Sequence, residues 1–513
     1  MLNLVLLVSS LFLLAGCASE SEESRLAGSQ PNIILIITDD QGMGDLSCMG
    51  NEILKTPHLD RLHAQSTRFT DFQVGSTCSP TRAALMSGRH PFEVGVTHTV
   101  FQRERMALDV VTLPETLKSA GYTTGLFGKW HLGDEAAYRP QNRGFDEVLM
   151  HGAGGIGQYR WGDFKANTEN TYFDSTLLHN ETIVKTKGYC TDLFFDAAMA
   201  WIHEQRKAGQ PYYAHLATNV PHNPAIAPDS YKKRFLDMGF SEKSAARYGM
   251  IENLDDNMGR LMRKLSEWGE LENTLVIFMT DNGTNMRNIT MEDGSQIPAF
   301  NAGLRGAKGS VWEGGTHVPS FWHWKGVLEA GVDISALTAH IDVYPTLCEL
   351  AGAELPDGKL KPNGRSLAPL LEDPETDWPN RKLFIHRGRW DDGKWSMASR
   401  EESRYHRGAV RTERWRLVAE LDDGKPVFWL SDILADPGET TNLADQHPEV
   451  VEELKQAFDQ WWESTEPYLV NEGLPHIPAE EQPLPVMYEQ QLKEKGIPEW
   501  EPAHGSAKSE FPR

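Results

Sequence analysis

After Asn32 the chain runs Ile33-Ile34-Leu35-Ile36-Ile37, a continuous apolar stretch rich in β-branched side chains. A strand with one wet face alternates apolar and polar residues. A strand without alternation is buried on both faces, and such strands belong to parallel sheets covered by helices. A second run of this kind is Leu275–Met279. Between them, strand patterns at Tyr122–Phe127 and Tyr212–Thr218 alternate with helical ones. Thr56-Pro57 starts a helix with Leu59 and Leu62 on one face, and Thr112-Leu113-Pro114-Glu115 has the spacing of a capping box, with Gly121 as a stop. Further helices are predicted over about 191–206 and through Leu254, Met258, Leu261 and Leu265. The fold class is therefore α/β, a large mixed, mostly parallel sheet flanked by helices. Its 513 residues, 40% apolar and 24% charged, are ample for a large core.

After about residue 366 the pattern shortens to strand-like pieces at Leu383–His386, Gly408–Arg411 and Trp415–Val418, with a helix near 448–464. This predicts a smaller C-terminal α+β domain over 366–465. Residues 466–513, rich in Pro and Glu, read as an irregular wrapping tail. At the other end, residues 1–16 carry no charged side chain and are too short to span a bilayer, as in a secretory signal. Leu14-Ala15-Gly16-Cys17 resembles a bacterial lipoprotein cleavage box, with Cys17 the lipidated first residue of a polar tether over 17–30. Ala18, Ser19 and the following glutamates suit a tether exported to the outer membrane or cell surface, with the periplasm as the alternative. The leader departs from type in having no Lys or Arg before its apolar run. The net charge of −23 repels phosphate backbones and argues against nucleic acid as a partner. The five cysteines are no disulfide framework; Cys48, Cys190 and Cys348 allow one bridge at most and read more simply as buried thiols.

Both buried strands end alike, in Thr38-Asp39-Asp40 and in Thr280-Asp281-Asn282-Gly283. Ligands of open α/β sheets bind beyond the carboxyl ends of the strands. As neighbours, these strands would bring three carboxylates and an amide into one crevice. Such a cluster repels itself unless a cation sits in it, and an all-oxygen set indicates Ca²⁺ or Mg²⁺. Cys78-Ser79-Pro80-Thr81-Arg82 lies where a turn becomes a helix, with Pro80 suited to the first helical position. Read alone, Cys78 is either a reactive thiolate at a helix start or a small core residue.

The stretch from Cys78 through Gly88-Arg89 resembles the signature of the formylglycine-dependent sulfatases, the type I family within the alkaline phosphatase superfamily. Blocks similar to that family follow in order: Asn32–Asp40, Thr56–Phe69, Gly128–Gly133, Pro221–Pro224, Thr280–Gly283, Leu304–Gly309 with Glu313–Gly315, His340–Leu347, and Asp436–Glu439. His317 stands where the family more often has Arg. The resemblance implies a catalytic domain over 31–365, an alkaline phosphatase-like fold, and sulfuric ester hydrolysis. It implies that a maturation enzyme oxidises Cys78 to formylglycine, and that one Ca²⁺ is held by Asp39, Asp40, Asp281, Asn282 and modified Cys78. It further implies a cationic cradle of Arg82, Lys129 and Lys308, with His222 as general acid, sharing a hydrogen bond with Lys308, and His131 as base. Taken singly, each of these residues has a bland reading: an exposed Lys, a satisfied His, a solvated loop. Lys129 and His131 are expected on one side of an extended segment. A surface-tethered enzyme of this kind implies a sulfated carbohydrate substrate. Arg139, Arg143, Tyr159, Arg160 and Trp161, in loops over 134–180, suit stacking on sugars or pairing with anions, or simply pack the loop. The rivals are a phosphate or phosphonate monoester hydrolase of the same superfamily and a non-catalytic glycan-binding lipoprotein.

Overall fold

The computed structural model describes residues 24–164, 170–390 and 396–502. Cys17 and its leader lie outside them. A ten-stranded sheet carries the body, with spatial order Asp333–Ile334, Thr67–Phe69, Ser320–His323, Thr274–Thr280, Asn32–Thr38, Tyr212–Ala217, Thr123–Lys129, Glu147–His151, Thr176–His179, Thr182–Lys185. The five strands from Thr274–Thr280 to Glu147–His151 are mutually parallel. The central strand shows why its sequence does not alternate. Ile33, Leu35 and Ile37 enter one core with Leu85, Leu117 and Leu347, while Ile34 and Ile36 enter another with Phe194, Leu254 and Met258. Helices Leu113–Ser119 and Val343–Ala351 cover the first face; Cys190–Ala208 and Glu242–Glu267 cover the second. Thr112 and Glu115 form the predicted capping box.

Two terminal segments differ from the sequence reading. The last part of the expected tether is docked: the Gly28 and Gln30 N–H groups donate to the carbonyls of Glu349 and Leu350, both at 2.9 Å, and Leu26 is buried. The expected irregular tail contains helix Pro483–Glu494, which buries Leu484 and Tyr488 in the first core. Its Gln491 side chain bonds the backbone of Ile183 through both amide atoms, at 2.8 and 2.7 Å. That contact covers the outer strand Thr182–Lys185, whose unpaired backbone would otherwise be a template for another chain.

The smaller C-terminal unit is a four-stranded antiparallel sheet, Leu383–His386, Gly408–Arg411, Trp415–Asp422 and Lys425–Asp432, backed by helix Pro448–Thr465. The fourth strand was missed although Val427-Phe428-Trp429-Leu430 is apolar; Lys425, Pro426 and Val427 at its start are exposed. The sheet is tied to the body by Arg411 and Arg416, both buried, which converge on buried Glu313. Burial pushes the Glu313 carboxyl up, but Arg416 and Arg411 outweigh it and hold the group well below the usual range. His317, the departure from the family pattern, joins this network through a 2.9 Å contact with Glu313.

Glu313→Ala leaves two buried guanidinium groups short of a counter-charge, and we expect about 3–5 kcal/mol of destabilisation. Because the folded pKa is depressed, the stabilisation is present above the unfolded value of about 4.3 and is lost as pH falls through the folded one. Urea unfolding between neutral pH and about pH 3 should show the variant's deficit shrinking with acidity. A constant deficit would mean that the carboxylate's charge contributes nothing.

Candidate active site

The two Asp-terminated strands are hydrogen-bonded neighbours in parallel register, with Thr38 opposite Thr280. Equal strand lengths therefore deliver Asp39-Asp40 and Asp281-Asn282 to one level beyond the sheet. The backbone binds them together: Asp281 N–H donates to the Thr38 carbonyl (3.1 Å) and Asp40 N–H to Asp281 Oδ1 (3.1 Å). Asp40 adopts a left-handed φ of 67°, which turns the chain across the strand end.

Each carboxylate meets a different cation. Lys129 Nζ lies 2.8 Å from Asp39 Oδ2, Lys308 Nζ 2.6 Å from Asp40 Oδ1, and Arg82 Nη2 2.8 Å from Asp281 Oδ2. All three implied cradle residues are thus in the site. Burial pushes the Asp39 carboxyl up, but Lys129 and its other cationic neighbours hold it well below the ordinary range. Asp281 behaves oppositely: burial and the Asp39 charge push it up to about 7 despite Arg82. Three buried carboxylates this close together therefore repel one another even with three cations beside them.

Cys78 is buried and is the first residue of helix Cys78–Ser87, so the helix starts two residues before Pro80. The ligand atoms of Asp39, Cys78 and Asp281 all lie within 4.8 Å of one another. Asp39 Oδ1 and Asn282 Oδ1 are buried without a hydrogen-bond donor. Orphaned acceptor oxygens beside carboxylates are the donor set of a hard divalent cation, so the residues fit one.

The two histidines are held in complementary tautomers. His131 Nε2 lies 2.8 Å from the Thr99 carbonyl, and His222 Nδ1 lies 2.6 Å from the Asn223 carbonyl. A carbonyl only accepts, so those nitrogens carry the protons. His131 Nδ1 is left buried and unpartnered, and His222 Nε2 lies 3.9 Å from Asp40 Oδ2. Burial, then Lys129, push the His131 ring well below its usual range, which keeps it neutral. The sequence reading is corrected in two respects. His131 has φ 62°, so the chain turns after Lys129 instead of staying extended. Lys308 and His222 both approach Asp40 Oδ2, and Asp40 stands where a direct bond between them was expected.

The loop residues divide. Arg143 spends its guanidinium on the carbonyls of Met106, Ala107 and Val110, and Arg139 Nε donates to the Asp134 carbonyl at 2.8 Å. Both are buried, and these bonds fit the reading in which they pack the loop. Tyr159, Arg160 and Trp161 remain at the surface, with Arg160 over the Trp161 ring. Cys48, Cys78, Cys190 and Cys348 are all free thiols.

Sequence reasoning missed three supports. Asn285 Nδ2 donates to Asp40 Oδ2 at 2.7 Å; it lies three residues beyond Asn282 in the same segment and could have been suspected. Arg247 binds the Asp40 carbonyl (3.0 Å) and Asp45 (3.1 Å). It sits on the same helix stripe as Met250, Leu254 and Met258, and a charge on an apolar stripe was the available signal. Gly154 and Gly155 face the histidines. A Cβ at Gly154 would lie 2.5 Å from His131 Cε1, where it does not fit, and one at Gly155 would lie 3.2 Å from His222 Nδ1, a tight contact.

The sheet order and the oxygen-lined crevice at its strand ends define a hydrolase of the alkaline phosphatase superfamily. Residues 31–353 match the Sulfatase family, and residues 307–464 match the C-terminal region of N-sulphoglucosamine sulphohydrolase. The chain belongs to the sulfatase family and is a sulfuric ester hydrolase. It is 32% identical to arylsulfatase A of Homo sapiens, over 83% of this chain and 86% of that protein. It is 27% identical to N-acetylgalactosamine-6-O-sulfatase of Bacteroides thetaiotaomicron, over 89% and 98%. The crystal structure of Ps i-CgsB in complex with k-i-k-neocarrahexaose superposes with a TM-score of 0.73 at 26% identity, covering 91% of this chain and 98% of that one.

Proposed function

We propose that this protein desulfates glycans, R–OSO₃⁻ + H₂O → R–OH + SO₄²⁻ + H⁺, with residue 78 matured to formylglycine and one Ca²⁺ at the carboxylate cluster. The observation that carries the reading is the position of Cys78, at a buried helix start within ligand distance of Asp39 and Asp281. Named relatives support the substrate class, one acting on a sulfated amino sugar and one bound to an oligosaccharide. The matured residue supplies a geminal diol as nucleophile, and a cation bound by Asp39, Asp40, Asp281 and Asn282 acts as Lewis acid toward the sulfate.

This chain's own residues do the rest. Arg82, Lys129 and Lys308 present positive charge around residue 78, where sulfate oxygens gain charge in the transition state. Arg82 is held for this by Asp281 and by the Lys129 carbonyl at 3.2 Å. With His222 Nδ1–H committed to Asn223, a proton on Nε2 makes the ring a cation; burial lowers the ring from its usual range, and the Asp39 and Asp40 charges oppose that shift without reversing it. Nε2–H then protonates the leaving sugar oxygen. His131 Nδ1, an acceptor with no competing donor, takes the proton whose removal lets sulfate depart. The leader and Cys17 support export as a lipid-anchored protein. Mass spectrometry of protein from a formylglycine-forming, lipoprotein-processing host should find an aldehyde or its hydrate at residue 78 and an acylated N-terminal Cys17. A leader still attached and an unmodified thiol in active protein would overturn both assignments.

The histidine roles separate by leaving group. A sugar alkoxide needs a proton to depart and a nitrophenolate does not. His222→Ala should therefore lower kcat/KM about 100-fold or more on a sulfated sugar and far less on nitrophenyl sulfate. His131→Ala should slow both substrates equally after a first burst of alcohol. Equal losses on both substrates for His222→Ala, without a burst in His131→Ala, would mean that acid and base have been misassigned.

A further inference from the structure

Beside Lys308 the active site opens into a cleft of about 530 Å³, walled on one side by the loop Arg305–Ser310 and on the other by the small C-terminal sheet. Its described lining is strongly cationic. Arg287, Arg305, Arg387, Arg389 and Arg407 contribute to it together with Lys308, against a single carboxylate, Glu420. In a chain of net charge −23, such a concentration of arginine is a local construction.

The fold explains how it arises. Strands Leu383–His386 and Gly408–Arg411 are antiparallel, with His386 opposite Gly408. Arg387 leaves one strand where Arg407 enters the other, and Arg387 N–H donates to the Arg407 carbonyl at 3.0 Å. Two like-charged side chains thus flank one sheet end, where pairing alone would keep them apart. Arg389 and Arg407 both hold left-handed φ, 63° and 61°, a conformation that β-carbon sterics disfavour. Arg389 is braced by a 2.9 Å bond to Thr99 Oγ1, the residue whose carbonyl holds His131. Arg305 is clamped between Trp312 and Trp429, 3.6 and 4.2 Å from the ring centroids, and donates to the Glu439 carbonyl at 3.0 Å. Nε of Arg387 is buried without a partner, beside the Gly309 position. Planar guanidinium groups ordered by packing and turned to one cavity suit an oxyanion.

We propose, resting on the glycan sulfatase reading, that this cleft binds a second anionic substituent of the substrate, on a sugar adjacent to the one being desulfated. The substrate class is therefore a polyanionic oligosaccharide, and the C-terminal sheet is the element that selects it. Thr77 and Lys308, which neighbour the reaction centre, also line the cleft, so one chain of sugars can occupy both. The second group is a sulfate or a carboxylate; both offer oxygens to Arg387 and Arg407.

The test uses three tetrasaccharides of one backbone: one with a single scissile sulfate, one with a second sulfate on the adjacent sugar, and one with a carboxylate there. kcat/KM should be about 10- to 100-fold higher for a two-anion probe, the scale of a charge-assisted contact, and the preference should shrink with added salt. Arg387→Gln and Arg407→Gln should each erase most of that preference, and Arg287→Ala, at an exposed position, part of it. Which two-anion probe is preferred identifies sulfate or carboxylate. Equal kcat/KM for all three probes, or variants that slow every probe by one factor, would overturn the cleft assignment and leave the sulfatase reading intact. Calorimetric binding of the same probes to Cys78→Ser protein separates the opposite case. Arginine-dependent binding of two-anion probes without turnover of any probe by the matured enzyme would keep the cleft and overturn the glycan reading.

Discussion

Cys78→Ser, produced in a host that matures only the cysteine signature, loses turnover of every sulfate ester by about 10⁴-fold or more, the scale seen when a nucleophile is removed. A serine hydroxyl can attack sulfur once. It has no second hydroxyl on the same carbon to drive sulfate off, so at most one equivalent of alcohol is released. Serine is close to cysteine in volume and suits a helix start, so the thermal midpoint should stay near that of the parent. Folded but inactive protein separates a chemical role from a packing role for this buried residue. Full activity from protein whose peptide mass shows only unmodified Cys78 would sink the mechanism.

Removing the divalent ion has the second-largest effect. Chelation should abolish activity, and Ca²⁺ should restore it. The physical ground is the crowding of Asp39, Asp40 and Asp281, where burial and the Asp39 charge already push Asp281 up to about 7. A readout independent of turnover is the thermal midpoint. Ca²⁺ at about 100 times its Kd should add about 2.7 kcal/mol of stability. Asp281→Ala should lose both the activity and this Ca²⁺-dependent shift, because it deletes a ligand and strips Arg82 of its buried partner, contributing about 3–5 kcal/mol of destabilisation on its own. An unchanged rate and midpoint in chelated protein would show the acidic cluster to be structural.

The site was legible in the sequence to different depths. Asp39, Asp40, Asp281 and Asn282 were legible because a run such as Ile33–Ile37 announces a doubly buried strand, and the residues just past the carboxyl end of such a strand face the binding crevice. Arg139 and Arg143 left two readings open, sugar contact and loop packing. A loop arginine reads the same whether it meets solvent or backbone carbonyls, and these two meet carbonyls. Arg247 was overlooked because its partners at Asp40, Asp45 and Thr284 come from segments far apart in the chain.

Local patterning alone settled the α/β class, the strand ends that carry the acidic residues, a helix next to Cys78 though not its first residue, and the family. Each is encoded in residue periodicity or in motif spacing, and survives whatever the distant chain does. The remaining features belong to tertiary contacts. The Thr99 and Asn223 carbonyls set which nitrogen of His131 and of His222 is free to exchange a proton. The tail helix closes the outer edge of the sheet through Gln491. Antiparallel pairing in the small sheet brings Arg387 and Arg407 to the mouth of a site built mostly by residues before 310. These outcomes depend on groups far apart in the chain meeting within hydrogen-bond distance, and no local pattern carries that information.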